Sequence, residues 1–363
     1  MLETESLLRP IRDDAPTGEN LRDDPSPTSP YYQMKDARNA ARAAERAAQM
    51  SDDPDNAPTG DWEPILELGP KVLAELSKDL EVVAWMIEAL VREGGFPGLG
   101  EGFDLARGLV EGFWDELHPR PDEDGMITRV APLAGLNGEE GEGTLIVPIG
   151  MVPLLYDPQG RPLSAWTFRT AREVSAIADP EVRQRRIDQG ARTLEDFQRA
   201  VTESDPAELL GTASRIEECL TRFASLSAAL DSRCGSDSPP TSRIRGALED
   251  ALECMRYLTK DLRPEAAQEE AEVPAGEQRK QGGAPGVVAT RQDAVEAMKR
   301  VRDYYRKEEP HSPISYLLDR ALRWTQLPLH VLVSEIIHDP GALEVFQMRT
   351  GIPTANETEK VES

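Results

Sequence analysis

Apolar residues along this chain recur at three- and four-residue intervals, and that period predicts helices. Ile65, Leu68, Val72 and Leu76 share one face of a helix over 62–76. Val83, Ile87, Leu90 and Val91 do so over 80–92, and Phe103, Ala106, Val110 and Trp114 over 99–117. Gly94 to Gly98 reads as the turn between the last two, with Ser77 as N-cap of the helix at 80. The Ala- and Arg-rich run from Tyr31 to Met50 is a strong helix former. Before it, Pro10, Pro16, Pro25, Pro27 and Pro30 punctuate an arm that follows one short helix near Ser6. Asp205-Pro206 pairs an N-cap with proline at the first helical position and opens a helix to about Asp231. Leu209, Ala213, Ile216, Leu220, Phe223 and Leu230 line it. A second helix over 242–262 makes an antiparallel hairpin with the first, and the short apolar repeat leaves packing within or between chains open.

Alternation is scarce. Residues 145–148 and Val152 to Tyr156 are extended apolar pieces, and a turn at Asp157 to Gly160 would fold them into a small hairpin near 145–163. Helix resumes near Ser164. His118 to Gly143 reads as a long acidic loop. The expected fold class is therefore all-α, multi-domain, with at most that hairpin. The pattern divides into an N-terminal helical domain, 1–175, and a middle helical-hairpin domain, 176–263. A flexible linker over 264–289, rich in Ala, Glu, Gln, Gly and Pro, separates them from a helical domain over 290–350 and a polar tail, 351–363.

The last domain carries Val295, Met298, Val301 and Tyr305 on one helix and Leu317, Leu318, Ala321 and Leu322 on the next, with further helices over 329–337 and 341–348. A domain below about 70–80 residues gains from a partner. The residues expected to supply an oligomer interface are Tyr305, Leu317, Leu318, Leu322, Trp324, Leu329 and Leu332. The other tryptophans, Trp62, Trp85, Trp114 and Trp166, read as core.

Charge narrows the function classes. A net charge of −25 over 363 residues, with no basic stripe, argues against a nucleic-acid partner and against anionic lipid. Cys219, Cys234 and Cys254 form no C-x-x-C pair and read as reduced thiols. An acidic Met1-Leu-Glu-Thr-Glu start is unlike a signal peptide, and the expectation is a cytoplasmic protein.

Candidate chemistry is sparse. His118, His311, His330 and His338 lack metal-site spacing and read as loop or surface histidines. The glycines from Gly94 to Gly102 lack the lysine and hydroxyl that hold phosphate and magnesium. The acids Asp115, Glu116, Asp122, Glu123 and Asp124 do not match a calcium loop and read as a solvated run. No nucleophile elbow is present. The expectation is no enzyme, no cofactor, no metal and no small-molecule substrate.

Four motifs in this order resemble the ImpA/TssA family of type VI secretion assembly proteins. They are Pro10, Ile11, Asp13, Pro16, Gly18, Glu19, Asn20 and Leu21; then Ser77, Lys78, Asp79 and Leu80; then Trp114-Asp115 ahead of Pro121 to Asp124; then Ala131 to Gly138. Tyr304 to Arg306, Glu309 to Pro313, Leu317-Leu318 and Arg320-Ala321 also resemble the family's terminal segment. The chain departs from the pattern at Asp23, where the family has an aromatic, and over Ser26 to Pro30, which lengthen the arm before Tyr31. The resemblance implies a cytoplasmic scaffold whose C-terminal domain forms a homo-oligomeric ring. Its implied partners are type VI baseplate, tube/sheath and membrane-complex proteins, and it would be recruited to the inner-membrane-associated apparatus. The alternatives are a helical adaptor or regulator that binds one partner without a ring, and a hydrolase, which would need a deep polar pocket with converging carboxylates and a histidine.

Overall fold

The computed structural model describes residues 2–49, 60–123, 125–138, 141–262, 291–308, 313–324 and 341. The expected linker over 264–289, the helices at 329–337 and 342–348, the tail, Leu329 and Leu332 lie outside them. The described residues contain thirteen α-helices and one two-stranded antiparallel sheet, so the chain is all-α with a small hairpin. The described stretch 2–262 falls in one compact unit, and residues 291–324 in a second.

In the first unit the helices are α1 (Thr4–Leu7), α2 (Pro30–Gln49), α3 (Glu63–Glu75), α4 (Leu80–Phe113), α5 (Met126–Asn137) and α6 (Ile146–Met151). Strands β1 (Pro153–Tyr156) and β2 (Pro162–Ser164) lead into α7 (Ala165–Ser175), α8 (Pro180–Asp188), α9 (Leu194–Glu203), α10 (Pro206–Cys234) and α11 (Ser242–Leu258). The second unit contributes α12 (Arg291–Glu308) and α13 (Ile314–Trp324).

Local sequence explains most of these boundaries. Ser164 and Thr167 exchange hydrogen bonds as a capping box for α7, and Thr193 and Asp196 do the same for α9. Asp179-Pro180 and Asp205-Pro206 cap α8 and α10. The expected turn at residues 94–98 falls at Gly95, whose φ of 56° breaks α4 into two limbs. The limbs fold back closely: a Cβ on Gly98 would lie 2.5 Å from the Leu90 carbonyl oxygen, and one on Gly102 would lie 2.7 Å from the Ile87 side chain.

The structure corrects four expectations. Residues 126–137, placed in an acidic loop, form α5; Asp122 accepts the Thr128 hydroxyl at 2.5 Å and the 122–125 turn leads into the helix. Residues 145–148, expected as an extended piece, instead lead into and begin the helix Ile146–Met151, so the hairpin is confined to 153–164. Ser77 caps nothing: the N-cap of α4 is Asp79, which accepts from the Glu81 amide. Trp166, expected in the core, is 42% exposed.

The second limb of α4 carries α10 along it. Phe103 meets Phe223 at 4.8 Å between ring centroids, and Arg222 pairs with Asp104 at 3.0 Å. Asn137, 1% exposed at the end of α5, accepts the Arg243 and Ile244 amides at 3.0 Å each and so caps α11 from a distant helix. One buried apolar cluster runs from Leu7 to Met255, across the expected boundary at 175/176. The α10–α11 hairpin packs within the chain. Phe223→Ala should therefore cost about 3–5 kcal/mol. Urea unfolding followed by helix signal and by tryptophan fluorescence should then give coincident, shifted transitions. Separate transitions would mean that 176–262 folds alone.

Candidate functional site

The motif residues converge, although they are far apart in sequence. The arm from Ile11 closes on itself when the Ile11 amide donates to the Pro16 carbonyl at 3.0 Å. It then runs antiparallel to the end of α3: the Glu19 amide donates to Leu76 at 3.1 Å and the Lys78 amide to Thr17 at 2.8 Å. On the other side of the same stretch, the His118 amide donates to Lys78 at 3.0 Å and the Leu80 amide to His118 at 2.8 Å. Residues 77–80 are thus the middle of a three-segment backbone ladder. Gly18 is required there, because its φ is +69° and a Cβ would sit 2.0 Å from the Leu76 oxygen.

Side chains lock this ladder. Asp79 is fully buried and takes Arg22 in a bidentate pair at 2.6 and 3.3 Å, besides the Glu81 amide at 2.8 Å. Arg22 also reaches Glu81 at 2.5 Å, and the Tyr31 hydroxyl donates to Glu81 at 2.9 Å. Burial works against the Arg22 charge, but the hydrogen bond and charge of Asp79, with Glu81, override it and raise its pKa. Burial, then the Glu81 charge, push the Tyr31 phenol up as well. The Tyr31 ring packs 5.2 Å from Trp85 and beneath the Arg22 guanidinium at 5.0 Å. The longer arm thus delivers its first tyrosine to the junction.

Lys78 is 0% exposed and has no carboxylate partner in the junction. Its ammonium donates to the Leu7 carbonyl at 2.7 Å and the Leu73 carbonyl at 2.5 Å, the C-terminal ends of α1 and α3. Burial pushes it down to about 8. Asn20 caps the 3-10 turn over Leu21–Asp23, and Leu21 is buried. Trp114 is buried beneath Arg129, which donates to the Trp114 carbonyl at 2.6 Å. Pro10 and Glu19 face solvent, and Pro16 is half-buried.

The motifs are therefore architectural. They hold the arm, the α3–α4 corner and the segment after α4 together. His118 was expected to be a loop or surface residue; it lies in the loop after α4 but is 3% exposed, with Nε2 unpartnered. Sequence reasoning missed Arg22, Tyr31 and Glu81, the network that holds Asp79 in the junction. The clue was charge: Asp79 sits in a motif that the rest of the fold buries, so a cation had to come from the arm.

The expected interface residues divide by exposure. Leu317 is 63% exposed, Tyr305, Leu318 and Trp324 are half-buried, and Leu322 is buried. Asp319 on α13 pairs with Arg302 at 3.4 Å and with Arg306, tying α13 to α12. Cys219 and Cys254 are buried, and burial pushes their thiols up to about 12. Among the described residues no His, Cys, Asp and Glu group has metal-site geometry, and no helix is long and apolar enough to cross a membrane.

Two outcomes test the junction. Arg22→Met should destabilise the first unit by about 3 kcal/mol, because it leaves the Asp79 carboxylate buried and unpaired; urea titration reads this, and a change under about 0.5 kcal/mol would contradict it. Burial lowers the His118 pKa, with Arg120 and Arg22 adding to it, while the Asp79 charge and a bond with the Gly18 backbone oppose it. The folded state then binds its proton less readily than the unfolded chain, so this group removes stability as pH falls below about 6.5. Between about pH 7.5 and pH 5, the wild-type chain should lose more stability than His118→Gln.

Residues 8–138 match the family described as ImpA, N-terminal, type VI secretion system. The "Type VI secretion system component TssA1" of Pseudomonas aeruginosa is 24% identical, over 97% of this chain and 99% of its own length. The fold resembles a solved N-terminal domain, including the conserved ImpA_N region, of the TssA component of the type VI secretion system from Burkholderia cenocepacia. That likeness has a TM-score of 0.59 at 24% identity and covers 71% of this chain and 94% of the other. Residues 8–138, which hold the buried ladder and both of its flanking segments, are the part of the chain that matches the ImpA N-terminal family, and the whole chain is similar to a type VI secretion component of the TssA kind.

Proposed function

We propose that this chain is a non-enzymatic cytoplasmic scaffold of the type VI secretion system. In this reading it oligomerises through its C-terminal unit and helps the baseplate and contractile tail assemble at the membrane complex. The observation that carries the reading is the end-to-end alignment with a type VI secretion component, 97% of one chain against 99% of the other. A family-wide N-terminal domain alone would be compatible with many attachments; a match over the whole length favours the same role.

Two physical features support it. The described residues divide into a large unit and a small one, as a scaffold with separate binding and assembly modules requires. The small unit leaves Tyr304, Tyr316 and Leu317 between 59% and 70% exposed. Apolar side chains on a short helical pair lower their free energy when another copy covers them. A ring would present several copies of the N-terminal unit at once, and many weak contacts would then sum to strong attachment.

Light scattering tests this directly. The full chain should be a large oligomer, while a chain ending at Leu262 should be a monomer or dimer. Leu317→Asp with Tyr316→Asp should shift the full chain toward the smaller species at micromolar concentration. If the full chain and the truncation are both monomeric, ring formation is wrong and the adaptor reading replaces it.

A further inference from the structure

A groove of about 850 Å³ opens on the first unit between the end of α2, the Gly95 break of α4, α6 with β1, and the start of α10. Its charged lining is four arginines (Arg42, Arg46, Arg92 and Arg215) against three glutamates (Glu45, Glu93 and Glu142), in a chain whose net charge is −25. The local sign is thus opposite to that of the molecule.

The arginines are not equivalent. Arg92 is satisfied: it pairs with Glu45 at 2.5 and 2.8 Å, donates to the Glu88 carbonyl at 2.6 Å, and stacks on Trp62 at 4.0 Å. Arg38, one turn before Arg42, is held by the buried Glu88. Glu45 and Glu88 are therefore committed. Among the described residues, Arg42, Arg46 and Arg215 have no carboxylate within ion-pair distance. Arg38, Arg42 and Arg46 follow one another at four-residue spacing on one helix face, where like charges repel. Burial of Arg42, with Arg38, Arg46 and Arg92 around it, depresses its pKa despite Glu88. With Arg92 paired to Glu45, the remaining charged lining is three arginines against Glu93 and Glu142, one net positive charge.

Its opposite wall is apolar and open. Met151 is 51% and Tyr156 56% exposed, beside Val147, Pro148 and Pro153. Arginine, tyrosine and methionine lining one concavity is the composition of a protein-binding surface. We propose that this groove docks an acidic segment of a partner protein, with its carboxylates on Arg42, Arg46 and Arg215 and its apolar side chains against Met151 and Tyr156. All the lining residues belong to the first unit, so the proposal does not depend on ring formation.

Fluorescence anisotropy on the full chain tests the assignment. The probe is a short fluorescein-labelled peptide of glutamates alternating with leucine and phenylalanine. It should bind saturably and weaken steeply with salt, and a lysine-for-glutamate version should not bind. Arg42→Gln with Arg46→Gln should weaken binding at least about tenfold with the helix signal unchanged. Arg215→Gln, at an exposed position, should weaken it several-fold and serves if the first variant misfolds. Unchanged affinity in the variants, equal binding of the lysine peptide, or no saturation by about millimolar peptide would overturn the proposal. So would displacement by inorganic phosphate at the concentration of the peptide itself, which would mean a small-anion site. Binding that emerges only after Asp52, Asp53 and Asp55 are replaced by asparagine would assign the groove to the chain's own carboxylates and overturn it equally.

Discussion

The Asp79 carboxylate has no contact with water and is held by the Arg22 guanidinium and the Glu81 amide. A buried charge costs several kcal/mol to desolvate, and only full pairing offsets this. Here the pairing comes from a residue 57 positions away, so the charge is stable only where the arm is docked. The same aspartate caps α4, the helix against which α3, α5, α6 and α10 pack. Arm docking, helix initiation and core assembly are therefore linked through one side chain. Lys78 adds a second tie by joining the carbonyl ends of α1 and α3 with a single ammonium.

This linkage explains why Ser77, Lys78, Asp79 and Trp114 are buried instead of facing solvent. Gly18 is constrained by sterics, and Ser77, Lys78, Asp79, Leu80 and Trp114 by burial. Recognition by partners then has to be sought on the surface: the open apolar side chains of the small unit and the arginine groove of the large one. The groove is notable for its sign, since net negative charge suppresses non-specific association while a local positive concavity admits an anionic segment.

Much of this was legible in the residues and some was not, for identifiable reasons. Asp205-Pro206 and the apolar period after it specify α10 locally, so the helix was readable. Gly94 to Gly98 announced a break, and Gly95 supplies it. By contrast, α5 begins without a side-chain cap, after an acidic stretch, and contains Pro132, so its sequence resembles a loop; burial of Val130, Leu133 and Leu136 decides it. Residues 146–151 are β-branched and apolar but too short and too proline-broken to distinguish strand from helix by pattern. Across the expected boundary at 175/176, Phe168 meets Phe197 at 5.1 Å and Phe103 meets Phe223 at 4.8 Å, contacts of long range that no local pattern shows. The candidate site divides in the same way. Its motif residues were visible as motifs, but their partners Arg22, Tyr31 and Glu81 became evident only from the fold.

The central claim is that the ladder joining Thr17, Lys78, Leu80 and His118 opens only when the whole first unit unfolds. Native-state hydrogen exchange at the Lys78, Leu80 and His118 amides measures this directly. The account predicts that all three exchange with the free energy of global unfolding and share its dependence on denaturant. Exchange through a local opening several kcal/mol cheaper, insensitive to denaturant, would show that the arm detaches on its own and would contradict the claim.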